Sequence, residues 1–413
     1  MERTNVYDVL KERGFIQQVS DEEEIRQILG TQNVTFYIGF DPTADSLHAG
    51  SLMPIMAMMH LQRHGHRPIA ILGGGTAMVG DPSGKTEMRK MLLKETIGRN
   101  HQAIRAQMSR YLNFDKDQAL SINNADWLLE LNYIDFLREI GCHFSVNRML
   151  AAESYKLRLE TGLSFLEFNY QLLQAYDFLV LYRTHQCILQ MGGDDQWGNI
   201  VAGIDLIRRV ESRKAYAITF PLLVMSNGQK MGKTAKGALW LDKGKTSPYE
   251  FYQYWINADD RDVKKLLAYF TFLPMSEVER LGSLEGADLR EAKEILAYEA
   301  TVITHGEEEA TRARAASRAA FGNGATDLEG IPAMELRRSE LRGGINIVDL
   351  FARAGLVKSK SEGRRLVVQG GCYLNEERVD DIELRVTDSH ERSGQVKLRA
   401  GKKKVFYIHV LED

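Results

Sequence analysis

Five polar strings in the chain combine residue types able to handle a polyphosphate together with a small polar ligand. The string YIGFDPTADSLHAGS, Tyr37 to Ser51, runs from a strand-like segment into the start of a helical one. A histidine and small residues at a helix N-terminus offer an imidazole N–H and free backbone amides where the helix dipole favours an anion. A capped helix with a solvated histidine would read the same way. The string GGGTAMVGDPSGKT, Gly73 to Thr86, resembles a phosphate-cradling loop. The P-loop pattern needs glycine at position 79, however, where Val79 stands, and Pro82 constrains the backbone further. That excludes a P-loop NTPase and leaves Lys85 and Arg89 as cations able to meet a phosphate.

The remaining strings sharpen the picture. GGDDQWGN, Gly192 to Asn199, follows a strand-like run, so its paired carboxylates and amide suit ribose hydroxyls or a metal, or cap the next helix. KMGKT, Lys230 to Thr234, sets two lysines three residues apart on a glycine-containing loop. They can converge on one polyphosphate and offset charge on a departing pyrophosphate. Tyr170, Gln174 and Asp177 fall on one side of an otherwise apolar helix. Buried groups of that kind either read a polar ligand or close an internal hydrogen-bond network.

These strings need a frame to hold them. Val34 to Gly39, Pro68 to Leu72, Cys187 to Met191 and Ala215 to Phe220 read as buried strands, with helical patterns over Ala49–His64 and Gln196–Val210. That alternation, with glycines at the strand ends, predicts an α/β fold with a doubly wound parallel sheet whose ligands bind at the carboxyl ends of the strands. The polar strings fall there. The division expected is a nucleotide-binding catalytic domain over 1–246, a helical domain over 247–322, a glycine-rich linker over 323–344, and a small α/β module over 345–413.

Composition narrows the class. At 413 residues, 44% hydrophobic and 26% charged, the chain supports more than one globular core. The three cysteines form no C-x-x-C pair, which fits a reducing cytoplasm better than a disulfide scaffold or a zinc site. The first residues are polar, without the apolar core of a secretory signal, and no run approaches the ~20 residues of a membrane span. Net charge is −3, yet residues 345–413 carry 13 Lys and Arg against 11 Asp and Glu, so nucleic acid remains open as a partner of the tail.

Taken together and in this order, the motifs Y-x-G-F-D-P-T-A-D-S-L-H, G-D-P-S-G-K, N-Y-Q-x-x-Q-x-x-D, G-x-D-Q-W-G-N and K-M-G-K-T resemble those of bacterial-type tyrosyl-tRNA synthetases, a class I aminoacyl-tRNA synthetase family. The resemblance spans nearly the whole chain. It implies ATP-dependent activation of L-tyrosine followed by transfer to tRNA(Tyr), with ATP as a substrate accompanied by Mg2+, no tightly bound cofactor and no metal held by protein ligands. By the same resemblance Thr43, His48, Lys230, Lys233 and Thr234, joined by Lys85 and Arg89, surround the leaving pyrophosphate. Gly39, Asp41, Gly192 and Asp195 lie near adenosine, and His48, Gly50, Ser51 and Lys233 contact ATP. Tyr37 and Asp177 bind the phenolic hydroxyl, Asp81, Tyr170 and Gln174 the ammonium group, and Gln196 lies near the carboxylate. Ser51 stands where the family's H-I-G-H signature has its second histidine, and Ile38 where cysteine is frequent.

From Ile345 the chain resembles a small RNA-binding module shared with a ribosomal protein, with Lys358, Lys360, Arg364 and Arg365 as its phosphate-facing patch. The resemblance further implies a cytoplasmic homodimer with one tRNA spanning both subunits. Two other readings compete. A tryptophan-specific relative would use Asp177 to accept an indole N–H. A non-catalytic RNA-binding protein would have lost the lysine loop or the ammonium site, and both strings are intact.

Overall fold

The computed structural model describes residues 4–83, 92–151, 153–228, 230–234, 237–321, 332–401 and 404–413. The chain divides into two compact units, 1–246 with 259–292, and 247–258 with 293–413.

The first unit is built on a six-stranded sheet of β1 (Gln18–Val19), β2 (Thr35–Phe40), β3 (Arg67–Leu72), β4 (Leu120–Asn123), β5 (Cys187–Gly193) and β6 (Tyr216–Phe220). Its order is β1-β6-β5-β2-β3-β4, parallel throughout except for β1 against β6. The short edge strands β1 and β4 carry little apolar sequence, which is why periodicity gave no sign of them. The central strands are rich in aromatic and branched residues and buried on both faces, as a sheet covered by helices requires. Connections run outward on both sides of the β2–β5 neighbours, so the topological switch lies between those strands.

Helices α1 (Leu52–Arg63), α2 (Lys94–Met108), α3 (Tyr170–His185) and α4 (Trp197–Glu211) bring side chains to that switch. The expected helix from Ala49 opens as a 3-10 turn over Ala49–Ser51 before α1 begins. α1 is buried nearly all round, through Leu52, Met53, Ile55, Met56, Met58 and Leu61. α3 packs Phe178 and Leu179 into the core beside Tyr37, Ile69 and Ile71. Each such side chain contributes about 1.5–3 kcal/mol by leaving water. α3 and α4 stop where Gln186 and Ser212 adopt left-handed backbone, each at φ +53°.

The second unit contains a five-stranded sheet of β7 (Ala333–Arg337), β8 (Cys372–Leu374), β9 (Glu377–Arg378), β10 (Gln395–Ala400) and β11 (Lys404–Leu411), in the order β9-β8-β10-β11-β7. β10 alternates strictly, with Val396, Leu398 and Ala400 facing a core that includes Leu350, Phe351 and Ile408.

Two expectations about boundaries differ from this arrangement. Residues 333–342 of the expected linker form β7 and a short helix, because Met334 and Leu336 present an apolar face in register with Ile408 and Val410 of β11. The rest of that stretch, through 331, lies outside the described residues. The helical stretch 247–322 is also not one body. Its residues 259–292 belong to the first unit, whereas Tyr249, Ala316 and Ala320 pack with Val405 and Tyr407 in the second. Helical periodicity reports that a face is apolar, and tertiary packing decides against what.

Candidate active site

The carboxyl ends of β2, β3 and β5 open onto a cavity of about 340 Å³. Its lining brings together Tyr37, Gly39, Asp41, Thr43, His48, Gly50, Ser51, Asp81, Tyr170, Gln174, Asp177, Gly192, Asp195 and Gln196, residues scattered over 160 positions of sequence. Ile38 lines it too.

The deep end is buried and polar. Tyr37 points from the middle of β2, where its ring meets Phe178 edge-on at 5.3 Å, and its hydroxyl is buried without a hydrogen-bond partner among the described residues. Burial, with the Asp177 charge adding to it, pushes the Tyr37 hydroxyl well above its ordinary pKa. Asp177, on α3, accepts from Asn124 Nδ2 at 2.9 Å and from Trp127 Nε1 at 2.8 Å. Burial raises its pKa to about 7 against those two bonds, which favour the ionised form. Asn124 is itself tied down, donating to Thr76 Oγ1 at 3.0 Å and accepting from Gly75 N at 2.8 Å. Gly73 must lack a side chain, since a Cβ there would come within 2.4 Å of Thr76 Oγ1 and 2.8 Å of Asp41 Oδ1.

Midway along the cavity Asp81 accepts from Ser83 N at 2.9 Å and from Gln196 Nε2 at 2.7 Å. Asn199 continues the chain of bonds, donating to Ser83 Oγ and to Gln196 Oε1, each at 3.2 Å. A buried carboxylate held in this way is oriented to receive a cation. The neighbouring aspartates divide. Asp194 turns to the sheet, accepting from Gln18 Nε2 at 2.7 Å and Thr219 Oγ1 at 2.9 Å, while Asp195 lines the cavity. Burial and then the Asp81 charge raise the pKa of Asp195, with Lys230 acting in the opposite sense.

At the mouth the backbone amides expected to be free are occupied. Ala49 N donates to Leu239 O at 2.8 Å, Gly50 N to His48 Nδ1 at 3.0 Å and Ser51 N to His48 O at 2.7 Å. The turn closes the Gly50 and Ser51 bonds locally and the distant Leu239 carbonyl takes the Ala49 amide, so the side chains must supply the donors instead. With Nδ1 accepting, the neutral imidazole of His48 carries its proton on Nε2. The lysine string packs directly on this turn: Gly232 has φ +77°, and a Cβ there would lie 3.0 Å from Gly50 N. Lys233 and Thr234 pair in a small hairpin with Gly237–Ala238. Lys230 is exposed and is not among the lining residues, and Lys85 and Arg89 lie outside the described residues.

Sequence reasoning passed over Thr76, Asn124, Trp127 and Gln190. Gln190, on β5 opposite Tyr37, is buried with its Oε1 unpartnered, and a glutamine inside the apolar run Cys187–Met191 was a usable signal. Nothing local marks Asn124 or Trp127. No group of three or more His, Cys, Asp or Glu converges as a metal cage among the described residues. In the tail Lys358, Lys360, Arg364 and Arg365 are all exposed around the helix Lys360–Val368, and Lys360 Nζ pairs with Asp349 at 2.8 Å.

The chain is similar to known proteins over nearly its whole length. A family model for class I tRNA synthetases (W and Y) matches residues 30–322, and one for the tyrosine–tRNA ligase SYY-like C-terminal domain matches 323–408. The tyrosine–tRNA ligase of Clostridium botulinum is 58% identical over 400 residues, covering 97% of this chain and 98% of that protein. The tyrosine–tRNA ligase of Fusobacterium nucleatum is 56% identical over 404 residues, covering 98% of each. Among solved structures, a C-terminally truncated mitochondrial tyrosyl-tRNA synthetase from Aspergillus nidulans is similar with a TM-score of 0.70 at 30% identity, covering 77% of this chain and 95% of that one.

Proposed function

Because the chain belongs to the class I tRNA synthetases of the tryptophan and tyrosine family, we propose a division of labour along its cavity for the reaction of a tyrosine–tRNA ligase. In that reaction L-tyrosine and ATP give tyrosyl-adenylate and pyrophosphate, and the tyrosyl group then passes to the 3′ end of tRNA(Tyr). The observation that carries the residue assignment is the unpartnered Tyr37 hydroxyl, buried beside a carboxylate whose oxygens are already oriented by Asn124 and Trp127.

A phenol entering the deep end gives the Tyr37 hydroxyl the hydrogen-bond partner it lacks and Asp177 a further donor, whereas a phenylalanine ring would leave the Tyr37 hydroxyl buried and unsatisfied, a discrimination already familiar for this enzyme type. Asp81, oriented by Ser83 and Gln196, takes the ammonium group together with Tyr170 and Gln174. The tyrosine carboxylate is already a nucleophile, so the chemistry rests on aligning it beside Gln196 with the α-phosphate. Gly39, Asp41, Gly192 and Asp195 face the adenosine. Thr43, the Nε2–H of His48, Ser51, Lys230, Lys233 and Thr234, with Lys85 and Arg89, stabilise charge on the departing pyrophosphate. Mg2+ enters with ATP as part of the substrate.

The exposed cations Lys358, Arg364 and Arg365 suit the phosphates of tRNA, while Lys360 already has a carboxylate partner. Tyr133, Ile134, Val146 and Phe165 are large, apolar and exposed in one stretch of chain, which supports a homodimer. The free thiol of Cys142 at the surface supports a reducing cytoplasm.

The test is amino-acid-dependent ATP–pyrophosphate exchange with tyrosine, phenylalanine and tryptophan in turn, without tRNA. Exchange with tyrosine alone is expected. Equal exchange with phenylalanine would remove the phenol-reading role from Tyr37 and Asp177.

A further inference from the structure

The loop from Asp41 to His48 carries three of the residues placed at the nucleotide end of the cavity, yet it has no regular structure of its own between β2 and the 3-10 turn. Its position must come from outside. Two buried amide side chains on one face of α2 supply it. Asn100, 7% exposed, donates through Nδ2 to Pro42 O at 2.9 Å. Gln107, 3% exposed and two helical turns further on, accepts from Leu47 N at 2.8 Å and donates to Ser46 Oγ at 2.9 Å. The loop is thus gripped beside Asp41 at one end and beside His48 at the other. At its exposed middle, Lys245 Nζ pairs with Asp45 Oδ1 at 2.7 Å.

We infer that Asn100 and Gln107 are positioning residues for ATP: they set the separation and orientation of Asp41, Thr43 and His48 without touching the nucleotide. Amides are the suitable chemistry for the task. Each supplies directional donors and acceptors to buried backbone atoms while adding no charge to a site that must accept a polyanion beside Asp41, Asp81 and Asp195. Tyr37, Asp81 and Asp177 sit on other elements, Asp81 held by Ser83 and Gln196 and Asp177 by Asn124 and Trp127, so the effect is directed at one substrate of the two.

The inference rests on the ligase reading, and the test separates the two. In the full-length protein, Gln107→Met and Asn100→Leu keep side-chain volume and remove the clamps. Tyrosine-dependent ATP–pyrophosphate exchange then gives KM for ATP, KM for tyrosine and kcat separately. Each variant is expected to lose about ten- to a hundredfold in kcat/KM for ATP, the range a misplaced group of this kind produces, with KM for tyrosine within about twofold of the parent. Asn100→Asp, which has the same shape but cannot donate to Pro42 and adds a negative charge, should lose at least as much in kcat/KM for ATP as Asn100→Leu. A folded variant in which both substrates are affected equally, or in which the ATP parameters do not move, overturns the inference while leaving the ligase reading intact. An inactive parent protein overturns the ligase reading itself. If one variant melts below assay temperature, the other position decides the outcome, since each clamp carries the same expectation.

Discussion

The two ends of the cavity solve different physical problems. The deep end, formed by Tyr37, Thr76, Asn124, Trp127, Asp177 and Gln190, is largely buried; Thr76, Asn124, Trp127 and Asp177 fix one another, while the Tyr37 hydroxyl and Gln190 Oε1 have no partner among the described residues. The mouth, formed by Thr43, His48 and Ser51 beside the lysine string, is exposed at Thr43 and His48 and sits on a loop and a 3-10 turn. Buried, pre-oriented groups read the identity of a substrate, because any mismatch leaves an unsatisfied atom out of water. Exposed cations and donors are suited to charge that appears only as pyrophosphate departs. The deep end should therefore control kcat/KM between amino acids, and the mouth kcat.

The largest effect expected on this comparison comes from Asp177→Ala, which strands Asn124 and Trp127 and removes the phenol's partner. A loss of about a thousandfold or more in kcat/KM for tyrosine is expected, taking several kcal/mol from unsatisfied buried groups. Exchange kinetics at subsaturating tyrosine check it. A loss confined to kcat would break the proposed separation.

Lys230→Ala should act the other way, lowering kcat by about a hundredfold while leaving KM for tyrosine unchanged. Single-turnover adenylate formation measured over a range of tyrosine concentrations distinguishes the two patterns. A raised KM for tyrosine with kcat intact would move Lys230 out of the pyrophosphate set.

The smallest effect concerns pH. Asp177 titrates near 7 in the folded protein against an ordinary value of 3.8. Below the lower value both states are protonated. Between the two, the unfolded chain has released its proton while the folded one retains it, so this group's contribution makes stability fall as pH rises, levelling off above 7. Asp177→Asn removes that component. Thermal melts of the ligand-free protein from pH 4.5 to 8 should show the difference between parent and variant narrowing or reversing in favour of the variant as pH rises. A constant difference would show that Asp177 titrates normally.

Much of this was legible in the sequence because it is written in local codes. The buried runs at 35–40, 67–72 and 187–193 carry their own β pattern, and the spacing of Tyr170, Gln174 and Asp177 places them on one helix face whatever the surroundings. Motif order and residue type named the chemistry. Tertiary structure decided who serves those residues. Asn124 and Trp127 are 53 and 50 positions away from Asp177 in sequence, and Asn100 and Gln107 look like any polar residues of an amphipathic helix, so their roles exist only once α2, α3 and the segment after β4 converge. The same holds for the two neighbouring aspartates, since Asp194 was drawn into the sheet by Gln18 and Thr219 and Asp195 was left to the cavity. Sequence fixes what a side chain is able to do through its own chemistry and its local periodicity. Which buried atom it must satisfy is a property of distant segments meeting, and only the folded chain supplies it.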